Sequence, residues 1–155
     1  MKKIVAGTAI ALLSMATIGL AEEEGPFANE IEARQGLMVY RAINIGTLAA
    51  MAKGEAEYDA AKAATAANAL LASANLDVSM LWPPGSDNAA NPDSTASAAI
   101  WADGSDIGAK AGAFKAAAEA MAAAAGTDLA SLQGAMGDLG GSCGGCHKAF
   151  RVPTN

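Results

Sequence analysis

The sequence predicts an all-α protein, an antiparallel four-helix bundle, and three observations carry that prediction. About a quarter of the 155 positions are Ala, which loses least on entering a helix, while aromatic residues make up only 5 %. Apolar residues recur in steps of three and four along four separate stretches. Two of the connections between these stretches are short and the middle one is long, the pattern of an up-down-up-down bundle. A core lined largely by methyl groups is thin, so a chain this short calls for a further apolar group at its centre.

The first helix is expected over residues 26–53, with Pro26 in its first turn behind Glu22, Glu23 and Glu24, and Lys53-Gly54 as its stop. Ile31, Met38, Ile45 and Ala52 recur every seven residues, and Ala42, Ile43 and Leu48 widen the stripe. The second helix, residues 57–75, carries Ala63, Ala67, Leu70, Leu71 and Ala74. From Leu76 to Ala96 the period stops at Pro83-Pro84-Gly85-Ser86 and Asn91-Pro92-Asp93, which mark the long loop. The third helix, residues 105–125, aligns Ile107, Ala111, Phe114, Ala118, Met121 and Ala125 and ends at Gly126. The fourth starts with Thr127 as N-cap and stops before Pro153, with Leu129, Leu132, Met136, Leu139, Cys143, Cys146 and Phe150 on one stripe.

Met1, Lys2 and Lys3 precede an uncharged run from Ile4 to Leu20, with small residues before Glu22. This is the build of a secretory signal peptide cut after Ala21, which makes residues 1–21 the leader and residues 22–155 the mature bundle domain. An uncleaved anchor is the alternative, since the run approaches the minimum for a membrane span. Cleavage removes two of the ten basic residues and none of the sixteen acidic ones, leaving a net charge of −8 over 134 residues. So acidic a chain lacks the clustered cations that nucleic acid requires, and it favours protein partners with basic docking patches. The expected location is the periplasm, with no membrane association after cleavage, and there a disulfide or a covalent cofactor is permitted.

Cys143-Gly144-Gly145-Cys146-His147 is a C-x-x-C-H sequence, the attachment signature of haem c. Two thiols one helical turn apart reach two vinyl groups on one edge of the macrocycle, and the adjacent imidazole turns over its face to the iron. His147 is the only histidine. A structural zinc needs four ligands where this motif has three, and a thioredoxin-like pair expects a preceding strand. A plain disulfide leaves His147 without a role. Gly134, Gly137, Gly140, Gly141, Gly144 and Gly145 weaken the fourth helix by about 1 kcal/mol each relative to Ala. Small residues beside the motif suit close approach of a flat macrocycle, whose burial then restores the lost stability.

A C-x-x-C-H motif ending the last helix of an exported bundle resembles the class II cytochromes c, the cytochrome c' family, and most closely its low-spin relatives. The resemblance covers nearly all of the mature chain. It rests on Glu32-Ala33-Arg34-Gln35-Gly36-Leu37-Met38, Met51-Ala52-Lys53-Gly54-Glu55 with Tyr58-Asp59, Ala99-Ile100-Trp101, and Cys143-Gly144-Gly145-Cys146-His147 with Phe150-Arg151. It implies covalent haem on Cys143 and Cys146, His147 as one axial ligand, and the first helix on the distal side with Met38 toward the iron. In low-spin relatives a Met at this position closes the sixth coordination site; in high-spin members the iron stays five-coordinate. As a residue of the inward stripe, Met38 is equally well read as core packing. Arg34 and Arg151 are candidates for haem-propionate or haem-edge contacts, with a solvated surface arginine as the alternative for each.

Two functions follow, a one-electron carrier as the leading expectation and a gas-binding protein as the alternative. A His147/Met38 pair makes a one-electron carrier, thioether and imidazole being a standard axial set for electron transfer. An open distal face makes a high-spin protein that binds nitric oxide or carbon monoxide. An enzyme is not expected, because no second His or acid-base pair is present to cleave an O–O bond. A homodimer through the first two helices is a further expectation of the resemblance.

Overall fold

The computed structural model describes residues 25–153; the expected leader, residues 1–21, lies outside them. Four helices run in order: α1 (Ala28–Ala52), α2 (Ala60–Ala74), α3 (Ile107–Ala124) and α4 (Leu129–Phe150), with short 3-10 turns at Ser79–Leu81 and Ala98–Trp101. Each helix packs on its neighbours in a closed ring, α1 on α2 and α4, α3 on α2 and α4. Among the described residues the one extended pairing is an isolated antiparallel bridge between Ala96 and Arg151. No described helix is long and apolar enough to cross a membrane.

The helix starts differ from the sequence reading for local reasons. Pro26 lies ahead of α1 rather than in its first turn, because Phe27 takes a left-handed conformation (φ 64°) and the helix begins after it. Asp59 caps α2 by accepting the Lys62 N–H at 3.0 Å. The cap of α4 is Asp128, not Thr127: its carboxylate accepts the Ser131 N–H at 2.7 Å, while the Thr127 hydroxyl donates back to the Ala123 carbonyl. A carboxylate serves here better than a hydroxyl, since it answers both the free N–H and the helix dipole.

The main core joins Leu48 and Met51 of α1, Leu70 of α2, Met121 of α3, and Leu132 and Leu139 of α4, all with 2 % or less of their surface exposed, with Ala63, Ala67, Ala118 and Ala125 filling between them. Ala42, Ile43, Ala111 and Leu129 are exposed, contrary to the stripes read from sequence. Ile43 falls 100° per residue around α1 onto the outer flank with Val39, both about 60 % exposed. At the end of the bundle formed by the two short turns, the Tyr58 hydroxyl donates to the Ala125 carbonyl at 2.9 Å and the Gln133 amide to the Ala52 carbonyl at 2.8 Å. A Cβ at Gly126 would meet the Ala64 Cβ at 3.0 Å, so glycine lets this turn lie against α2.

The long loop closes the opposite end. It is pinned to the end of α4 by the Ser97 N–H on the Phe150 carbonyl and the Val152 N–H on the Thr95 carbonyl. A second apolar cluster forms there from Ala96, Ile100 and Phe150, with Trp82, Trp101, Ile107 and Cys146 against it. The Trp82 and Trp101 rings stand 6.4 Å apart, and the Trp101 indole N–H donates to the Trp82 carbonyl at 3.0 Å.

Candidate cofactor site

Cys143 and Cys146 lie one turn apart on α4, both half-buried and both free thiols. Cys143 continues the stripe of Leu132, Met136 and Leu139, and Cys146 packs against the Ile100–Phe150 cluster. Burial pushes both thiols up, and Arg41 opposes it for each. At neutral pH they are therefore protonated thiols, not thiolates. His147 follows on the exposed flank, where no hydrogen bond to another described residue holds its side chain. The limited burial of its ring, and secondly the charge of Arg151, push the imidazole down, toward the neutral form that can bind a metal. No group of three or more His, Cys, Asp or Glu side chains placed to hold a metal ion occurs among the described residues.

On α1, Arg34, Met38 and Arg41 stand at i, i+4 and i+7, hence on one face of the helix. Met38 is half-buried and stands outside both apolar clusters. Arg34 is 4 % exposed and clasps the long loop. Its Nη1 donates to the Leu81 carbonyl at 3.2 Å and to Ser86 Oγ at 2.7 Å, its Nη2 to the Ser86 carbonyl and to Ser94 Oγ, and the guanidinium lies 4.6 Å from the Trp82 ring centroid. The role this geometry gives Arg34 is to fix α1 to the loop. Arg41 is half-buried; its Nε donates to Ser73 Oγ at 3.0 Å, its Nη2 to the Ser73 carbonyl at 2.8 Å, and its guanidinium lies 4.6 Å from the Phe114 ring centroid.

Sequence reasoning passed over Arg41, although its spacing from Arg34 and Met38 already put it on the inward face. Arg151 departs from expectation in another way. It sits one turn beyond His147, its N–H donating to the His147 carbonyl at 3.0 Å, but it is the extended residue that ends α4 (φ −109°, ψ 126°), exposed and paired with Ala96. Pro153 two residues on and the pull of the loop explain the early stop. Of the six α4 glycines all but Gly145 are exposed, and a Cβ at any of them would meet no other residue of the chain within 4 Å. Gly137, Gly141 and Gly145, with Ala113, Ala116 and Ala117 of α3, line an open groove of about 520 Å³ on the flank away from the core stripe.

Two inward thiols on one helical turn, an unengaged imidazole beside them, and a methyl-lined bundle around them define a c-type haem protein. The residues present fit that group: the thiols are free, and Met38 of α1 is half-buried outside both apolar clusters. Residues 29–151 match the family model described as Cytochrome C', and the chain belongs to that family, whose members carry covalently attached haem c. It is similar to cytochrome c-554 of Cereibacter sphaeroides, 46 % identical over 85 % of this chain and 86 % of that one. Among solved structures it is similar to cytochrome c' from Rhodobacter sphaeroides, with a TM-score of 0.80, 41 % identity, and coverage of 83 % of this chain and 98 % of that one. A nitric oxide complex of a mutant cytochrome c prime from Alcaligenes xylosoxidans gives a TM-score of 0.72 at 29 % identity, covering 83 % of this chain and 97 % of that one.

Proposed function

We propose that this protein binds a small diatomic gas at its haem, with Cys143 and Cys146 as the attachment points, His147 as the iron ligand on one face and Met38 as a movable guard on the other. The observation that carries this reading is the setting of Met38: half-buried, outside both apolar clusters, and unbranched, a flexible thioether that no packed cluster holds. The nitric oxide complex of a structural relative supports it. Haem supplies an iron that takes up one electron and accepts a gas on its free face. The chain's own residues do the rest. Arg34 and Arg41 anchor α1 on either side of Met38, and the cluster around Phe150 fixes the end of α4 that carries the motif.

A second reading, an electron carrier with His147 and Met38 both on the iron, is favoured by one observation: the inward side chain midway between the two arginines ends in a thioether, a competent axial ligand. In that reading the acidic surface steers the protein to basic patches on redox partners. Either function is proposed for the periplasm after cleavage at Ala21, without catalysis, and the exposed Val39, Tyr40 and Ile43 on α1 suit self-association through that helix.

The absorption spectrum of the holoprotein separates the two. Gas binding expects a high-spin spectrum that Met38→Ala leaves high-spin, ready uptake of carbon monoxide by the ferrous form, and about tenfold tighter uptake once the side chain is removed, equivalent to about 1.4 kcal/mol. A low-spin spectrum with a sulfur-to-iron charge-transfer band that Met38→Ala abolishes would overturn it in favour of the electron carrier.

A further inference from the structure

Arg34 and Arg41 are inward cations on one face of α1, and neither forms an ion pair among the described residues, where the two ion pairs are Lys53–Glu55 and Lys110–Asp106. They differ in what they leave free. Both Nη atoms of Arg34 are taken by the loop, whereas Arg41 is held through Nε and Nη2 alone, and its Nη1 has no partner among the described residues. Ser73 and Phe114, from α2 and α3, lock the guanidinium so that it cannot swing out to solvent. Its field reaches both attachment cysteines, opposing the upward push of burial on each thiol.

We infer that Arg41 is a fixed positive charge that raises the reduction potential of the haem attached at Cys143 and Cys146. Ferric haem carries one more positive charge than ferrous haem, so a cation held nearby disfavours the ferric form. One electron enters the iron on reduction, no bond is made or broken, and the guanidinium keeps its protons throughout. A half-buried charge near the haem would act through an effective dielectric well below that of water, and a roughly tenfold change in such an equilibrium corresponds to about 59 mV for a one-electron couple. The inference requires only that haem is attached, and it holds whether Met38 guards the iron or binds it.

The test is a redox titration of purified holoproteins. Arg41→Gln is expected to shift the ferrous/ferric equilibrium roughly tenfold toward ferric, and Arg41→Lys, which keeps the charge, to shift it less than threefold. Removing the exposed Lys115 of α3 as Lys115→Gln is expected to leave it unchanged. The Arg41→Gln shift should persist from low to high salt, because a half-buried charge is screened far less than a surface one. Should Arg41→Gln not accumulate as holoprotein, Arg41→Met keeps the apolar stem against Phe114 and carries the same expectation. Equal shifts for the Gln and Lys variants would assign Arg41 a packing role and overturn the inference. No shift in either neutral variant would overturn it as well.

Discussion

The two ends of this bundle are built on different terms. At the end of the short turns, Met51, Ala63, Ala125 and Leu132 fill the space between helices, and the two hydrogen bonds that tie the turns down, from Tyr58 and Gln133, are made by the chain alone. At the loop end the apolar cluster is smaller, Ala96, Ile100 and Phe150, and Met38, Arg41, Cys143 and Cys146 are only half-buried. What closes this end is a loop hung on a buried arginine. The difference teaches that one end owes its order to packing alone, and the other to a smaller packed cluster, a clasp and the covalent cofactor its cysteines fit.

Three predictions sharpen or break that contrast, from the largest effect to the smallest. Preventing haem attachment with Cys143→Ala and Cys146→Ala together should cost several kcal/mol, because six glycines already weaken α4 by about 1 kcal/mol each. Hydrogen exchange should then rise over residues 134–150 while residues 44–70 stay protected; equal helix content and equal melting with and without haem would remove the distinction between the ends. Leu132→Ala, at the packed end, should destabilise by about 3 kcal/mol through loss of buried area and the cavity left behind, with the haem spectrum unchanged. Arg34→Ala should cost about 2 kcal/mol, since Ser86 and Ser94 lose a buried donor. It should also open the loop to proteolysis between residues 82 and 96, and a loop that stays resistant would show the clasp to be dispensable.

The order of helices, the long middle loop and the thiol–imidazole motif were legible in the sequence, because each rests on local chemistry: period, breaker clusters and fixed spacing. The capping of α4 was not, since Thr127 and Asp128 are both good caps and only the backbone decides between them. Arg34 was legible as a residue of interest but not as a clasp, because its partners lie 52 and 60 positions along the chain in a segment without periodicity. Arg41 was hidden by its charge, which reads as solvent-facing until Ser73 and Phe114 are seen around it. The glycines of α4 drew attention to the right helix but not to a facing: being without side chains they carry no hydrophobic period, and that most of them are exposed appears only when the helix is docked.

The partners of Arg34 are serine hydroxyls, peptide carbonyls and an indole ring, none of which titrates, and the guanidinium itself stays charged at any pH a protein survives. The cap of α4 behaves otherwise. Hydrogen bonds from the Ser131 N–H hold the Asp128 carboxyl below the usual carboxylate range, so its contribution is present above the unfolded-state pKa and is lost as pH falls through the lower, folded one. Acid therefore loosens the first turn of α4, while the Arg34 clasp at the other end, which has no titrating partner, keeps its hold on the loop.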